Sequence, residues 1–135
     1  MSSQTLIGLD VGEKRIGVSV ADTGVRIAVP FSTVEVDGSE IEAIAEIVIK
    51  EQAEVIVVGY PRNQQGEATA QTDFVEKFTE RLEYLDKKIV FQDESLTSVL
   101  AEQQLKAHNR PYSKGDIDAQ AAAIILQDYV ERNYG

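Results

Sequence analysis

Three carboxylates, Asp10, Glu94 and Asp118, are the residues of this chain best suited to do chemistry. Asp10 lies in Gly8-Leu9-Asp10-Val11-Gly12, at the end of an otherwise apolar strand and just before a glycine. Burying an unpaired carboxylate costs roughly several kcal/mol, so such a side chain holds a cation or reaches water. Gly12 leaves room for a phosphate or a metal ion to approach the backbone. Asp118 sits near the start of the last helix with Ala122, Ile125 and Tyr129 on the same face, so its side chain points inward, and the helix N-terminus favours its ionised form. If that helix crosses the sheet edge, Asp10, Glu94 and Asp118 form one cluster. Carboxylates that close repel, and they stay ionised together only when cations neutralise them. Two divalent ions about 4 Å apart would do so while activating water and stabilising the leaving oxygen of a phosphodiester. Each residue also has a plainer role: Asp10 as turn former, Glu94 as solvated strand terminus, Asp118 as partner of the helix dipole. Spacing alone does not choose between the two readings.

The elements that must position these groups follow from apolar periodicity. Leu6 to Leu9 reads as a strand, and Ile16, Val18 and Val20 alternate with Gly17 and Ser19 as a second, with Glu13 and Lys14 in the hairpin turn between them. A third strand is expected over 27–36, where Pro30 suits an edge position. Ser39 and Glu42 predict a capping box, followed by the helical stripe Ile41, Ile44, Ala45 and Val48. Val55 to Val58 is a continuous apolar run that predicts a central strand covered on both faces. A loop over 60–67 comes next, and Phe74, Val75, Phe78, Leu82 and Leu85 recur at helical spacing. Ile89 to Phe91 gives a last strand. Helices are then expected from Leu96 to about Ala107, opened by Thr97 or a neighbouring serine as cap, and from about Asp116 to Arg132. This order predicts one α/β domain over 1–135, its sheet carrying a hairpin edge and right-handed crossovers. Sites in such sheets form outside the carboxyl ends of parallel strands, where Asp10, the loop after Gly59, and Asp93-Glu94 would share one edge.

Composition narrows the chemistry. With 135 residues, no cysteine and one histidine, the chain has no disulfide framework, no Cys-based zinc site and no His-rich one. Any metal would be hard and oxygen-ligated, magnesium or manganese. No segment reads as a signal peptide or reaches membrane-spanning length, so the cytoplasm is the expected location. A net charge of -10 argues against nonspecific coating of nucleic acid. The charge is unevenly spread, however. Acidic residues crowd 35–54, a solvated helix face, whereas 103–115 holds Lys106, Arg110 and Lys114 with no carboxylate and reads as a phosphate-contacting arm or surface decoration.

The chain resembles the YqgF family, also called RuvX, of ribonuclease H-like proteins described as Holliday junction resolvases or nucleases of precursor 16S ribosomal RNA. The resemblance rests on Gly8-Leu9-Asp10-Val11-Gly12 with Lys14-Arg15-Ile16-Gly17-Val18, on Asp22, and on Ala28, Pro30 and Thr33. It continues through Gly59-Tyr60-Pro61-Arg62-Asn63 with Gly66, and through Asp93-Glu94 with Leu96-Thr97. It ends on Asp118, Ala121-Ala122 and Ile125-Leu126-Gln127. It implies a three-layer ribonuclease H-like fold, a mixed five-stranded sheet with helices on both faces. It also implies Asp10, Glu94 and Asp118 as catalytic metal ligands, two Mg2+ or Mn2+ ions, and structured RNA or four-way junction DNA as partner. Ser95 departs from the pattern, which carries an arginine there, and removes one phosphate contact.

Arg15 and Arg62 are the candidates for gripping phosphate, since a guanidinium offers paired donors. Lys14, Asn63, Lys106, Arg110 and Lys114 complete the expected substrate-binding set; Asn63 and Gly66 also shape their loop, and His108 is expected to be exposed and inert. Hydrolysis of a ribosomal precursor requires only a monomer, whereas a junction resolvase needs two active sites and hence a homodimer. Two other classes compete: an actin-like ATPase, disfavoured by the absence of a second phosphate loop, and a noncatalytic RNA-binding or ribosome-assembly module.

Overall fold

A computed structural model describes residues 3–61, 65, 67–94 and 97–135, apart from the Ser98 side chain. The first three strands, β1 (Thr5–Val11), β2 (Arg15–Asp22) and β3 (Val29–Glu35), form an antiparallel meander. β4 (Ala53–Pro61) then pairs parallel with β1, and β5 (Lys88–Glu94) parallel with β4, giving the order β3-β2-β1-β4-β5. The carboxyl ends of β1, β4 and β5 therefore share one sheet edge, as the sequence predicts. β1 takes the centre, and β4, apolar on both faces, lies beside it. Pro30 falls on the outermost strand, beside a register slip against β2.

Strand alternation splits the core into two layers. Ile7, Leu9, Val11, Ile16, Val18, Ile56 and Val58 face α1 (Glu40–Lys50) and α2 (Ala70–Glu80), which contribute Ile41, Ile44, Val48, Val75 and Phe78. On the other side Leu6, Val55 and Val57 meet Ile125, Leu126, Tyr129 and Val130 of α4 (Lys114–Tyr134). α3 (Thr97–Ala107) packs on α4. The result is the three-layer arrangement with a mixed five-stranded sheet that the resemblance implies. Among the described residues, no helix is long and apolar enough to cross a membrane.

Three local expectations are corrected. Ser39 does not form a capping box with Glu42: its backbone (φ -115, ψ 15) is not in the extended region, and its hydroxyl donates to Asp37 Oδ1 at 2.6 Å. Leu82 and Leu85 do not belong to α2, which ends at Glu80; a 3-10 turn over Glu83–Leu85 follows, and Asp86 adopts a left-handed conformation (φ 57). Leu82 is still buried and Leu85 still packs on the core, because residues three apart stay on one side of a tight helical turn. The last helix starts at Lys114, two residues before the expected Asp116. Ser113 caps it, accepting from Asp116 N while Asp116 Oδ2 accepts from Ser113 N at 2.9 Å.

Candidate active site

Asp10 lies on β1 opposite Gly17 of β2, on the α4 side of the sheet. A Cβ at Gly17 would collide with the carbonyl of Asp118, so the glycine lets the first turns of α4 rest directly on the strand. That contact delivers Asp118 to the neighbourhood of Asp10. Gly8 supports the same approach one register further along, beneath Leu126 and the Ala122 carbonyl, and Ser19 Oγ donates to that carbonyl at 2.7 Å.

Glu94 arrives from β5, separated from β1 by β4. A Cβ at Gly59 of β4 would overlap Glu94 Oε2, so the Glu94 carboxylate lies across the bare Cα of Gly59. Thr97 Oγ1 donates to Glu94 Oε1 at 3.1 Å and holds it there. Burial pushes the Glu94 carboxyl up from its ordinary range, and the Thr97 bond partly opposes that.

Asp10 carries the strongest electrostatic signature. Burial first, then the negative charges of Glu94 and Asp118, push its carboxyl from its ordinary 3.8 up to about 7. Both distant carboxylates are thus close enough to act on Asp10. Among the described residues, nothing donates a hydrogen bond or pairs a cation to it. Asp118 differs in having a cation at hand: Arg15 Nε donates to its Oδ2 at 2.7 Å.

The donor set suits a hard divalent ion. It consists of carboxylate oxygens, and that of Asp10 is buried with no counter-charge among the described residues, the condition a cation relieves. Among the described residues, no three acidic or histidine side chains already stand in a metal-ligating arrangement.

The expected substrate-binding residues are more dispersed. Lys14 is exposed at the tip of the β1–β2 hairpin, whose turn is closed by Gly12 N donating to Arg15 O at 3.1 Å. Lys106, Arg110 and Lys114 are exposed from the end of α3 to the start of α4, and Arg110 lines a cleft of about 300 Å³ with His108, Tyr112 and Gln120. His108 is exposed, as expected. Arg62, Asn63, Gly66 and Ser95 lie outside the described residues. Gly17, Gly59 and Thr97 stand in the sequence as strand glycines and a helix-capping candidate, but their part in positioning the carboxylates emerges only from the structure. The available signals were a glycine inside each strand and the three-residue spacing of Glu94 and Thr97.

Comparison with known proteins agrees with this architecture. The model of the family described as "RuvX: Holliday junction resolvase" matches residues 4–132. A protein of Chloroflexus aggregans named "Putative pre-16S rRNA nuclease" is 41% identical over 97% of this chain and 96% of its own. One of Rippkaea orientalis with the same name is 40% identical over 97% and 98%. Among solved structures, T. thermophilus RuvC in complex with Holliday junction substrate superimposes with a TM-score of 0.59 at 14% identity, covering 98% of this chain and 96% of that one. The Fowlpox virus resolvase with its Holliday junction DNA gives 0.57 at 10% identity, covering 96% and 98%. These likenesses establish a shared fold. From the family match and the near full-length relatives, the chain belongs to the RuvX family.

Proposed function

We propose that this protein is a divalent-metal-dependent endonuclease of the cytoplasm that hydrolyses phosphodiester bonds in structured nucleic acid, with precursor 16S ribosomal RNA as its substrate. What supports the reading is that Glu94 of β5 and Asp118 of α4 lie near enough to Asp10 of β1 to act on its buried carboxylate, which has no paired cation among the described residues. These three would hold Mg2+ or Mn2+, which supplies activation of water and charge neutralisation at the leaving oxygen. The chain's own part is positional. Gly17 and Gly59 let the acids approach, Thr97 orients Glu94, and Arg15 faces the site from β2 with a cationic fork suited to phosphate.

RNA ranks ahead of junction DNA because relatives about 40% identical carry the ribosomal name, whereas the junction-bound structures share 10–14% of residues. The test is Mn2+-dependent cleavage of a panel holding a ribosomal precursor leader, single-stranded RNA and four-way junction DNA, beside Glu94→Gln. Leader cleavage lost in the variant supports the proposal. Junction cleavage alone, by a homodimer, would transfer it to the resolvase reading, and cleavage unaffected by Glu94→Gln would overturn it.

A further inference from the structure

Arg15 and Asp118 are 103 residues apart in the chain and are joined by one bond. Arg15 Nε donates to Asp118 Oδ2 at 2.7 Å, with the two side chains 29% and 22% exposed. A charge-assisted bond this short and partly shielded from solvent is stronger than an ordinary surface pair. Its geometry is built into the fold. Arg15 opens β2 two residues before Gly17, so both face α4, and Gly17 brings the backbone of Asp118 down onto the strand. Among the described residues, neither terminal amine of Arg15 makes a hydrogen bond.

We infer that Arg15 is the resident counter-ion of Asp118, which a divalent ion entering the carboxylate cluster displaces, and that the released guanidinium then binds a phosphate of the nucleic acid. The inference rests on the carboxylate reading above. A guanidinium does not lose its proton at any pH a protein survives, so it cannot yield to an incoming cation by becoming neutral. It yields by moving. Once released, it offers five donors in a planar fork that matches phosphate oxygens. Phosphate and divalent ion then favour each other's binding, because each draws one member of the Arg15–Asp118 pair away from the other. By linkage the coupling is reciprocal.

The test is calorimetric titration of Mn2+ into the wild type, Arg15→Gln, Asp118→Asn and the double variant, with circular dichroism as the check on folding. Arg15→Gln is expected to bind Mn2+ about tenfold more tightly in the absence of nucleic acid, a gain equivalent to about 1.4 kcal/mol. Asp118→Asn, which removes a proposed ligand, is expected to bind Mn2+ more weakly than wild type, and adding Arg15→Gln to it is expected to bring no gain, since the two effects run through one bond. A phosphorothioate-linked 2′-O-methyl oligonucleotide, added at saturation, is expected to tighten Mn2+ binding by the wild type and not by Arg15→Gln. Should Arg15→Gln fail to fold, Arg15→Lys keeps the charge and loses the fork, and is expected to retain weak Mn2+ binding with a reduced oligonucleotide effect. A folded Arg15→Gln that binds Mn2+ no better than wild type, while Asp10→Asn loses binding, overturns this inference alone. Unaltered Mn2+ binding by Asp10→Asn overturns the carboxylate reading beneath it.

Discussion

The carbonyl of Asp118 rests against the bare Cα of Gly17, directly across the β1–β2 ladder from Asp10. This contact sets how closely α4 approaches the sheet and hence whether its carboxylate reaches the site. Gly17→Ala forces a methyl group into backbone rather than into a flexible side chain. It is expected to destabilise the fold by about 1–3 kcal/mol, as overpacking does, or more if α4 cannot retreat. Urea denaturation measures the loss. Cleavage is expected to fall further than the folded fraction does, because the retreating helix takes Asp118 with it.

The Asp10 carboxyl makes the metal-free protein sensitive to pH. Its folded value of about 7 lies above the ordinary 3.8, so the native state holds a proton that the unfolded chain has released. The stability this proton contributes is fully present below about pH 4 and is lost as the pH rises through about 7, by at most roughly 4 kcal/mol. Thermal melting in a chelator is therefore expected to show a Tm that declines across that window from this group's contribution. Asp10→Asn is expected to flatten the decline and to melt higher than wild type at pH 8.

Thr97→Val tests how Glu94 is held. The variant keeps the shape of the side chain and removes the hydroxyl that donates to Glu94 Oε1. A hydrogen bond to a charged group contributes about 1.5–3 kcal/mol, so a loss of roughly tenfold or more in cleavage rate is expected at neutral pH. The Glu94 carboxyl, already raised by burial, rises further without that bond. Part of the lost rate is therefore expected to return at higher pH, and a pH–rate profile reads the shift.

The start of α4 is fixed by the reciprocal Ser113–Asp116 cap. Ser113→Ala is expected to cost about 1 kcal/mol of stability, measured by denaturant unfolding. Hydrogen exchange is expected to quicken in the first turn of α4, the turn that leads into Asp118.

The layers of this fold were readable because buried strands and amphipathic helices write their periods into the sequence. Val55 to Val58 and the stripe Ile41, Ile44, Val48 pack as that periodicity predicts. Local capping was less legible. Ser39 has a competing acceptor in Asp37, whereas Ser113 has the matching Asp116 three residues on and forms the cap. In the site, the three carboxylates were identifiable as candidates by residue type and motif. What brings them together was not, since Gly17 with Asp118 and Arg15 with Asp118 are contacts between residues about a hundred positions apart. Such pairs leave no local pattern. Glu94 crossing Gly59 depends likewise on the parallel register of β4 and β5, which only the folded sheet sets.

That Asp10, Glu94 and Asp118 together bind the divalent ions that support hydrolysis is the proposal on which the other expectations depend. It is tested most directly by titrating Mn2+ into wild type and Asp10→Asn at pH 8 and assaying cleavage of a precursor 16S leader by the same samples. Saturable binding and cleavage are expected of the wild type, with loss of both in Asp10→Asn while its fold persists. Binding and cleavage by Asp10→Asn equal to those of the wild type would contradict it.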